Sequence, residues 1–232
     1  MTIHYHGLPL TPEVMLLDLV GQHVCISYAT RRPSQLEICL RRMQSIMFDN
    51  GAFTAHQQGG RLDEEAYYDW LDPMLCHPHW AVVPDVIDGS VEEQRALVKT
   101  WPFEPEFGAP VFHLALPDDY LLELTDEWPR VCLGSSGAYW KVGGPEWRGR
   151  MDHLTELLAK KRVRSPALHG LRMMAQAGKR WPLASVDSVN IARNFKTQEE
   201  RPSMMAHRLN RENNTTMLDK FAEPIQILEA AE

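Results

Sequence analysis

The sequence predicts an α/β fold closed as a trimmed TIM-type (β/α)8 barrel. Short apolar runs alternate with stretches of helical period along almost the whole chain, the signature of parallel βα units. Seven or eight such units fit into 232 residues, below the ~250 usual for this barrel. Several of the apolar runs end in a polar or charged residue, as barrel strands do at the face that carries chemistry. A doubly wound open sheet shares the alternation and is the alternative. Its dinucleotide-binding version needs a Gly-x-Gly-x-x-Gly turn opening a helix after the first strand, and the sequence has none there.

The elements follow in order. Residues 1–12, with Gly7, Pro9 and Pro12, read as a loop or irregular edge. Residues 13–20 are helix-like, and 23–27 form the first clear strand. Over 35–44, Leu36, Cys39, Leu40 and Met43 fall on one helical stripe and Arg41 and Arg42 on the other. Residues 45–49 are a second strand, broken by Asn50-Gly51, and 63–71 an acidic helix with a cap from Leu62-Asp63. Strands over 80–85, 110–114 and 130–134 are separated by helices over 91–101 and 118–127. A helix over 150–161 turns Met151, Leu154, Leu157 and Leu158 inward. A short strand at 167–169, a short helix at 171–177 and a seventh strand at 183–187 complete the alternation. Residues 197–216 read as a loop plus a helix, and 221–231 as a weakly apolar tail. The expectation is a single domain over 1–232, with a barrel core at about 20–195 and a C-terminal extension over 196–232.

Composition sets the broad class. With 44% hydrophobic and 24% charged residues, the chain is ordinary globular material rather than disordered. No apolar run approaches the ~20 residues that span a bilayer, so no membrane association is expected. The N-terminus lacks a basic segment followed by an apolar one, so secretion is not indicated and a cytoplasmic location is expected. Cys25, Cys39, Cys76 and Cys132 are widely spread without a CxxC pair and read as reduced thiols. Net charge is −7, yet residues 141–211 carry fifteen Lys and Arg against six Asp and Glu. An acidic frame with a basic third can present one face to a phosphate backbone. It is equally read as a helix surface that happens to be basic, above all at Lys160-Lys161-Arg162.

The strand ends read Ser27, Asp49, Asp85, His113, Gly134-Ser135, His169 and Asp187. Singly, each fits a helix cap or a loop hydrogen bond. Three carboxylates and two imidazoles at one lip together favour an enzyme, because unpaired buried carboxylates are costly. The same five side chains suggest a mixed metal site as an alternative. Against it, no His-x-His follows the first strand; His4-Tyr5-His6 precedes any clear strand, and His77-Pro78-His79 lies before one. No metal or other cofactor is expected. Phe53, across Asn50-Gly51-Ala52 from Asp49, offers a ring for stacking a flat heterocycle or serves as core. Gly134-Ser135-Ser136-Gly137 offers backbone N–H groups to a carbonyl or phosphate, or is a simple turn.

The order of these motifs resembles the tRNA-guanine transglycosylase superfamily, and more closely the short phage and prophage members related to DNA 7-deazaguanine transglycosylases. Phe48-Asp49-Asn50-Gly51-Ala52-Phe53-Thr54 is similar to the family's Asp-Ser-Gly-Gly-Phe-Gln. Val83-Pro84-Asp85 stands where the family places the Asp that reads the purine edge, and Phe112-His113-Leu114 stands in place of its Val-Gln-Gly. Leu133-Gly134-Ser135-Ser136-Gly137 resembles its Gly-Gly-Leu-Ala-Val-Gly turn, and Leu168-His169-Gly170 its Met-Gly-Val-Gly strand. The run from Val186-Asp187 through Asn190 and Arg193 to Asn194 resembles the Phe-Asp-Cys-Val-Leu-Pro-Thr-Arg segment that carries the nucleophile. The matched order covers residues 45–195.

The resemblance implies an enzyme that replaces guanine in a nucleic acid by a 7-deazaguanine base. Asp187 would be the nucleophile and Asp49 would handle the proton of the leaving or entering base. Asp85 would accept from the purine N1–H and amino group, the Gly134 N–H would donate to O6, and Phe53 would stack. Ser135, Ser136, His113, His169, Asn190 and Arg193 would complete the substrate site. Arg148, Arg150, Arg172, Lys179 and Arg180 would hold the backbone. The family's CxCxxC zinc site is missing, since no cysteine follows Cys132. The zinc-bearing subdomain that grips tRNA is therefore expected to be absent, which favours DNA over tRNA. A hydrolytic N-glycosidase or nucleoside-processing relative needs the same nucleophile. A non-catalytic nucleic-acid-binding barrel that partners a modification enzyme is a further alternative, as is a metal-dependent hydrolase.

Overall fold

A computed structural model describes residues 2–161, 166–197 and 199–221, with the backbone alone described over 212–221. Nine strands form one parallel sheet: β1 (Ile3–Gly7), β2 (His23–Ser27), β3 (Ser45–Asp49), β4 (Trp80–Val82), β5 (Gly108–Ala109), β6 (Val111–His113), β7 (Arg130–Gly134), β8 (Ala167–Gly170) and β9 (Ser185–Ser188). Their order is β5-β4-β3-β2-β1-β9-β8-β7-β6. β5 and β6 stand at opposite ends of that order yet are separated in sequence only by Pro110. The Val83 N–H donates to Ala109 on one side, and the Cys132 N–H donates to Pro110 on the other. The segment 108–113 is thus one barrel strand, interrupted where proline brings no N–H to the ladder, and it joins the two ends of the sheet. The expected α/β barrel is what the chain forms.

Alternation along the strands produces two cores. Tyr5, Cys25, Met47, Trp80, Val82, Ala109, Val111 and Cys132 turn inward and fill the lumen. Their neighbours, including Val24, Ile26, Ile46, Phe48, Val131, Leu133, Leu168 and Val186, turn outward under the helices in a larger cluster. These helices are α1 (Pro33–Arg42), α2 (Ala52–Gln57), α3 (Glu64–Leu71), α4 (Val91–Lys99), α5 (Asp118–Glu127), α6 (Pro145–Lys161), α7 (Asn190–Asn194) and α8 (Pro202–Phe221). Ser90 and Glu93 cap α4 reciprocally, and the Asp63 carboxylate accepts from the Ala66 N–H at the start of α3. No helix among the described residues is long and apolar enough to cross a membrane. All four cysteines are free thiols, and only Cys76 is exposed.

Four expectations change. Residues 1–12 are not an edge: β1 lies mid-sheet, parallel to both β2 and β9, so the barrel begins at Ile3 rather than near residue 20. Its outer face carries His4 and His6, both buried, and two histidines there disguise a core strand as polar chain. Second, α6 starts at Pro145, because proline is well placed in a helix's first turn, where its missing N–H costs nothing. Third, the helix expected over 171–177 shrinks to a single 3-10 turn, Met174–Gln176, in a connection cut short by Gly178 and Pro182. Fourth, the chain beyond 196 is no mere extension. α8 packs on the 3-10 segment Glu13–Leu19, with Met205 and Ala206 fully buried and Arg201 paired to Asp18. The apolar tail expected over 221–231 falls, past Phe221, outside the described residues.

Candidate active site at the C-terminal mouth of the barrel

Parallel strands of a barrel end on one face, so their C-terminal residues and the following loops share a mouth. Asp49 closes β3, Asp85 follows β4, His113 closes β6, and Asp187 sits in β9. Asp49 feels the charge of both Asp187 and Asp85, which places the three carboxylates together.

The loop after β3 is built for close approach. Gly51 has φ +79, and a Cβ there would lie 2.8 Å from Ala29 Cβ and 3.0 Å from the Ala29 nitrogen, so only glycine fits. This turn aims the buried Asn50 side chain inward. Its Oδ1 accepts from the Ala52 N–H (2.8 Å), and its Nδ2 donates to Val83 O (3.0 Å) and Asp85 Oδ1 (2.8 Å). Asp85 Oδ2 lies 2.8 Å from His113 Nε2. Both Asp85 oxygens are therefore engaged by the protein, each keeping a second lone pair. His113 Nδ1 is buried without a partner, and a Cβ on Gly134 would lie 3.0 Å from it. Glycine at the end of β7 thus makes room for this imidazole.

Asp187 is held differently. Its Oδ1 accepts from the Arg172 N–H at 2.7 Å and faces His169 Nε2 at 3.4 Å, too long for a strong bond. His169 is fully buried and is oriented by Ser185 Oγ, 2.7 Å from its Nδ1. The Arg172 guanidinium turns the other way and lies 3.5 Å above the Phe53 ring. It covers one face of that ring, so a base stacking on the same face must displace it.

Asp49 is the electrostatically strained member. Burial pushes its pKa up to about 6; Ser27 opposes the rise, Asp187 and Asp85 add to it, and Arg172 opposes it. The Ser27 hydroxyl affects Asp49 by proximity, yet it is itself buried with no partner at hydrogen-bonding geometry. A carboxyl with a pKa near 6 exchanges protons readily at neutral pH. Beneath it in the lumen, burial above all, then Asp187 and Asp49, raise the Cys25 thiol well above its ordinary range. Cys25 is a neutral filler, not a nucleophile.

The remaining expected residues divide. Ser136 Oγ is buried and unpartnered, whereas Ser135 Oγ accepts from Trp147 Nε1 at 2.9 Å and so serves the loop's own packing. Asn190 opens α7, accepts from the Asn194 amide, and lines a cleft with Arg172, Lys179 and Arg193. Arg150 faces the protein: it donates to Leu114 O and Leu116 O and pairs with Asp118 at 2.6 Å. Arg180 pairs with Asp152 at 2.8 Å, and Arg148 is exposed on α6. Among the described residues, no three His, Cys, Asp or Glu side chains are grouped to hold a metal ion.

The sequence places Asn50 in a strand-breaking, motif-like loop without a contact of its own, and gives Arg172 only a nucleic-acid backbone role. Asn50 next to a left-handed glycine was the available signal, since a short amide side chain there caps its own loop. The Arg172 N–H contact carried no signal, because residue 172 reaches Asp187 only through the fold. Compared with the models of known protein families and with curated protein sequences, the chain matches none.

Proposed function

We propose that this barrel is a base-exchanging glycosyltransferase acting on guanine in a nucleic acid, with Asp187 as nucleophile and Asp49 as acid and base. The observation that carries the reading is the unlike surroundings of two neighbouring carboxylates. Asp187 is pinned by a backbone N–H, while burial lifts Asp49 to a pKa of about 6. Environments that separate two carboxyl groups in this way suit one to nucleophilic attack and the other to proton transfer.

The steps balance on these groups. An Asp187 oxygen attacks C1′ of the target nucleotide, and the bond from C1′ to the base nitrogen breaks. The leaving guanine takes that electron pair and a proton from Asp49. The incoming base then gives a proton to Asp49, attacks C1′ and expels Asp187. Two inversions retain the anomeric configuration. Asp85, steadied by Asn50 and His113, keeps lone pairs for a purine N1–H and amino group. Phe53 supplies the stacking surface. The resemblance favours DNA over tRNA, and a 7-deazaguanine as the incoming base. In duplex DNA the target base must leave the stack to reach the mouth.

The test is trapping with guanine-containing DNA and RNA oligonucleotides. An intact-mass adduct that requires Asp187, and that a 7-deazaguanine base discharges, is the expected result. Labelled guanine returning to the oligonucleotide separates exchange from hydrolysis. No adduct with either nucleic acid, and no exchange, would overturn the reading.

A further inference from the structure

The barrel wall has a gap between β8 and β9. On either side the connections carry a helix: α5 lies between β6 and β7, α6 between β7 and β8, and α7 follows β9. Between β8 and β9 the described chain has only the 3-10 turn Met174–Gln176. A cleft of about 580 Å³ stands at this gap, bounded by that connection, by α7 and by Leu209 of α8. Its apolar lining is Met174, Ala175, Ala177, Val189 and Leu209. Its charged lining is Arg172, Lys179 and Arg193, with no Asp or Glu. Among the described residues, no carboxylate lies at ion-pair distance from Arg172 or Arg193, and Arg193 is exposed. An apolar cleft edged by cations fits a partner segment that is apolar and acidic, since buried apolar area and complementary charge act together.

We propose that this cleft is a docking surface for residues 222–232 of the same chain, which lie outside the described residues. The segment carries Glu223, Glu229 and Glu232 and no Lys or Arg. In an extended chain alternate side chains share a face. Glu223, Ile225, Ile227 and Glu229 then fall on one side, two branched apolar groups between two carboxylates. The cleft offers the complement, an apolar lining with Arg172 and Arg193 beside it. The reach is sufficient. Leu209 stands twelve residues before the end of α8 at Phe221, about 18 Å of helix. Eleven extended residues span about 36 Å, so the segment can return along α8 and lay about half its length in the cleft. Pro224 disfavours helix at Glu223, where the chain has to turn back. Arg172 lines the cleft and its N–H holds Asp187, so the docked segment closes the wall beside the candidate site. The inference does not rest on the transferase reading.

The test is site-specific cross-linking in the full chain. Ile227 is replaced by the photoreactive p-benzoylphenylalanine, and the irradiated protein is digested and read by mass spectrometry. Cross-links to residues 172–179 or 188–194 are the expected result. In an equal mixture of unlabelled and isotope-labelled protein, they should join like with like, because the segment docks on its own molecule. Arg193→Glu should lower the yield about tenfold. Adding Glu223→Arg and Glu229→Arg to that variant should restore part of it, a rescue that a folding defect would not give. Cross-links to another face, such as the exposed Val14, Leu17 and Met204, would overturn the inference. So would mixed cross-links between labelled and unlabelled protein, which would make a second copy the occupant. A yield indifferent to Arg193→Glu, or no cross-link at all, would overturn it as well. None of these readouts is activity, so failure of base exchange leaves the docking surface standing.

Discussion

The two ends of the barrel lumen are both polar, but in opposite ways. At the N-terminal end, Tyr5, His23, Ser45, Trp80 and Arg130 face inward. Trp80 Nε1 donates to the Tyr5 hydroxyl at 2.8 Å, Ser45 Oγ reaches the same hydroxyl at 3.1 Å, and His23 Nδ1 lies 2.7 Å from Ser45 Oγ. Arg130 sits 4.4 Å above the Trp80 ring. No side chain of this group has a buried polar atom without a partner. At the C-terminal end, Ser27 Oγ, His113 Nδ1 and Ser136 Oγ are buried and unpartnered, and Asp49 is driven towards protonation. A closed network stabilises a barrel; an open one costs stability and leaves donors and acceptors for a ligand. The contrast teaches that polarity inside a barrel is not itself the functional signal; incomplete satisfaction is.

Substitutions at the two ends should therefore separate activity from stability. Asp187→Ala carries the largest expected effect, a fall of at least about 10⁴-fold in the proposed base exchange, the scale seen when a nucleophile is removed. Its thermal midpoint should hold or rise, because a partly desolvated carboxylate has gone; a large drop in midpoint would make Asp187 structural and break the contrast. Trp80→Ala at the closed end should do the reverse. Emptying a fully buried indole site costs about 3–5 kcal/mol, read by denaturant titration, while exchange per folded molecule stays within a few-fold.

The closed end was also the harder one to read from sequence. Strand ends were legible because parallel strands bring every C-terminus to one face, so Asp49, Asp85, His113 and Asp187 could be grouped from order alone. β1 was not legible, because its His-Tyr-His alternation has polar residues on the buried outer face and the aromatic one in the lumen. Tyr5, the hub of the closed network, was lost with it. The tie from Asn50 to Asp85 was hidden too, since it spans 35 residues and depends on a single backbone turn. Arg150, expected from the resemblance to hold a nucleic-acid backbone, instead secures the loop after β6; a helical arginine's direction is decided by which carbonyls lie within its reach.

Asp49 sharpens the contrast through pH. Its carboxyl titrates near 6 in the folded protein and near 3.8 in the unfolded chain. Between those values the folded state holds a proton that the unfolded state has lost, so this residue's contribution to stability falls as pH rises through 4–6. Asp49→Asn removes that loss and should stabilise the protein at pH 7 by about 2 kcal/mol, after allowance for the carboxyl's small residual exposure. Exchange should fall by about 10²–10⁴-fold, as for loss of a general acid–base group. A variant no more stable than wild type at pH 7 would mean that the mouth does not strain this carboxyl.

His6 tests the rule itself, because, like Trp101 and Tyr120, it has buried polar atoms without a partner yet is not one of the candidate site residues. Both its ring nitrogens are buried without a partner on the outer face of β1. Burial, aided by His4 and His23, holds its pKa down at about 3, and burial holds His4 at about 4, against 6.5 for the free side chain. As pH falls through 6.5 the unfolded chain takes up protons that the folded state refuses, so stability declines until the folded values are reached. Two histidines acting in this sense outweigh Asp49 acting in the other, and the wild-type protein should lose stability from pH 6.5 down to 4. His6→Phe should remove part of that decline, and at neutral pH it should be neutral or stabilising by about 1 kcal/mol, since two unsatisfied nitrogens are replaced by carbon. Base exchange should be unchanged. If it fell substantially with stability intact, incomplete satisfaction on the outer face of β1 would also carry function, and the contrast between the ends of the lumen would have to extend to that face.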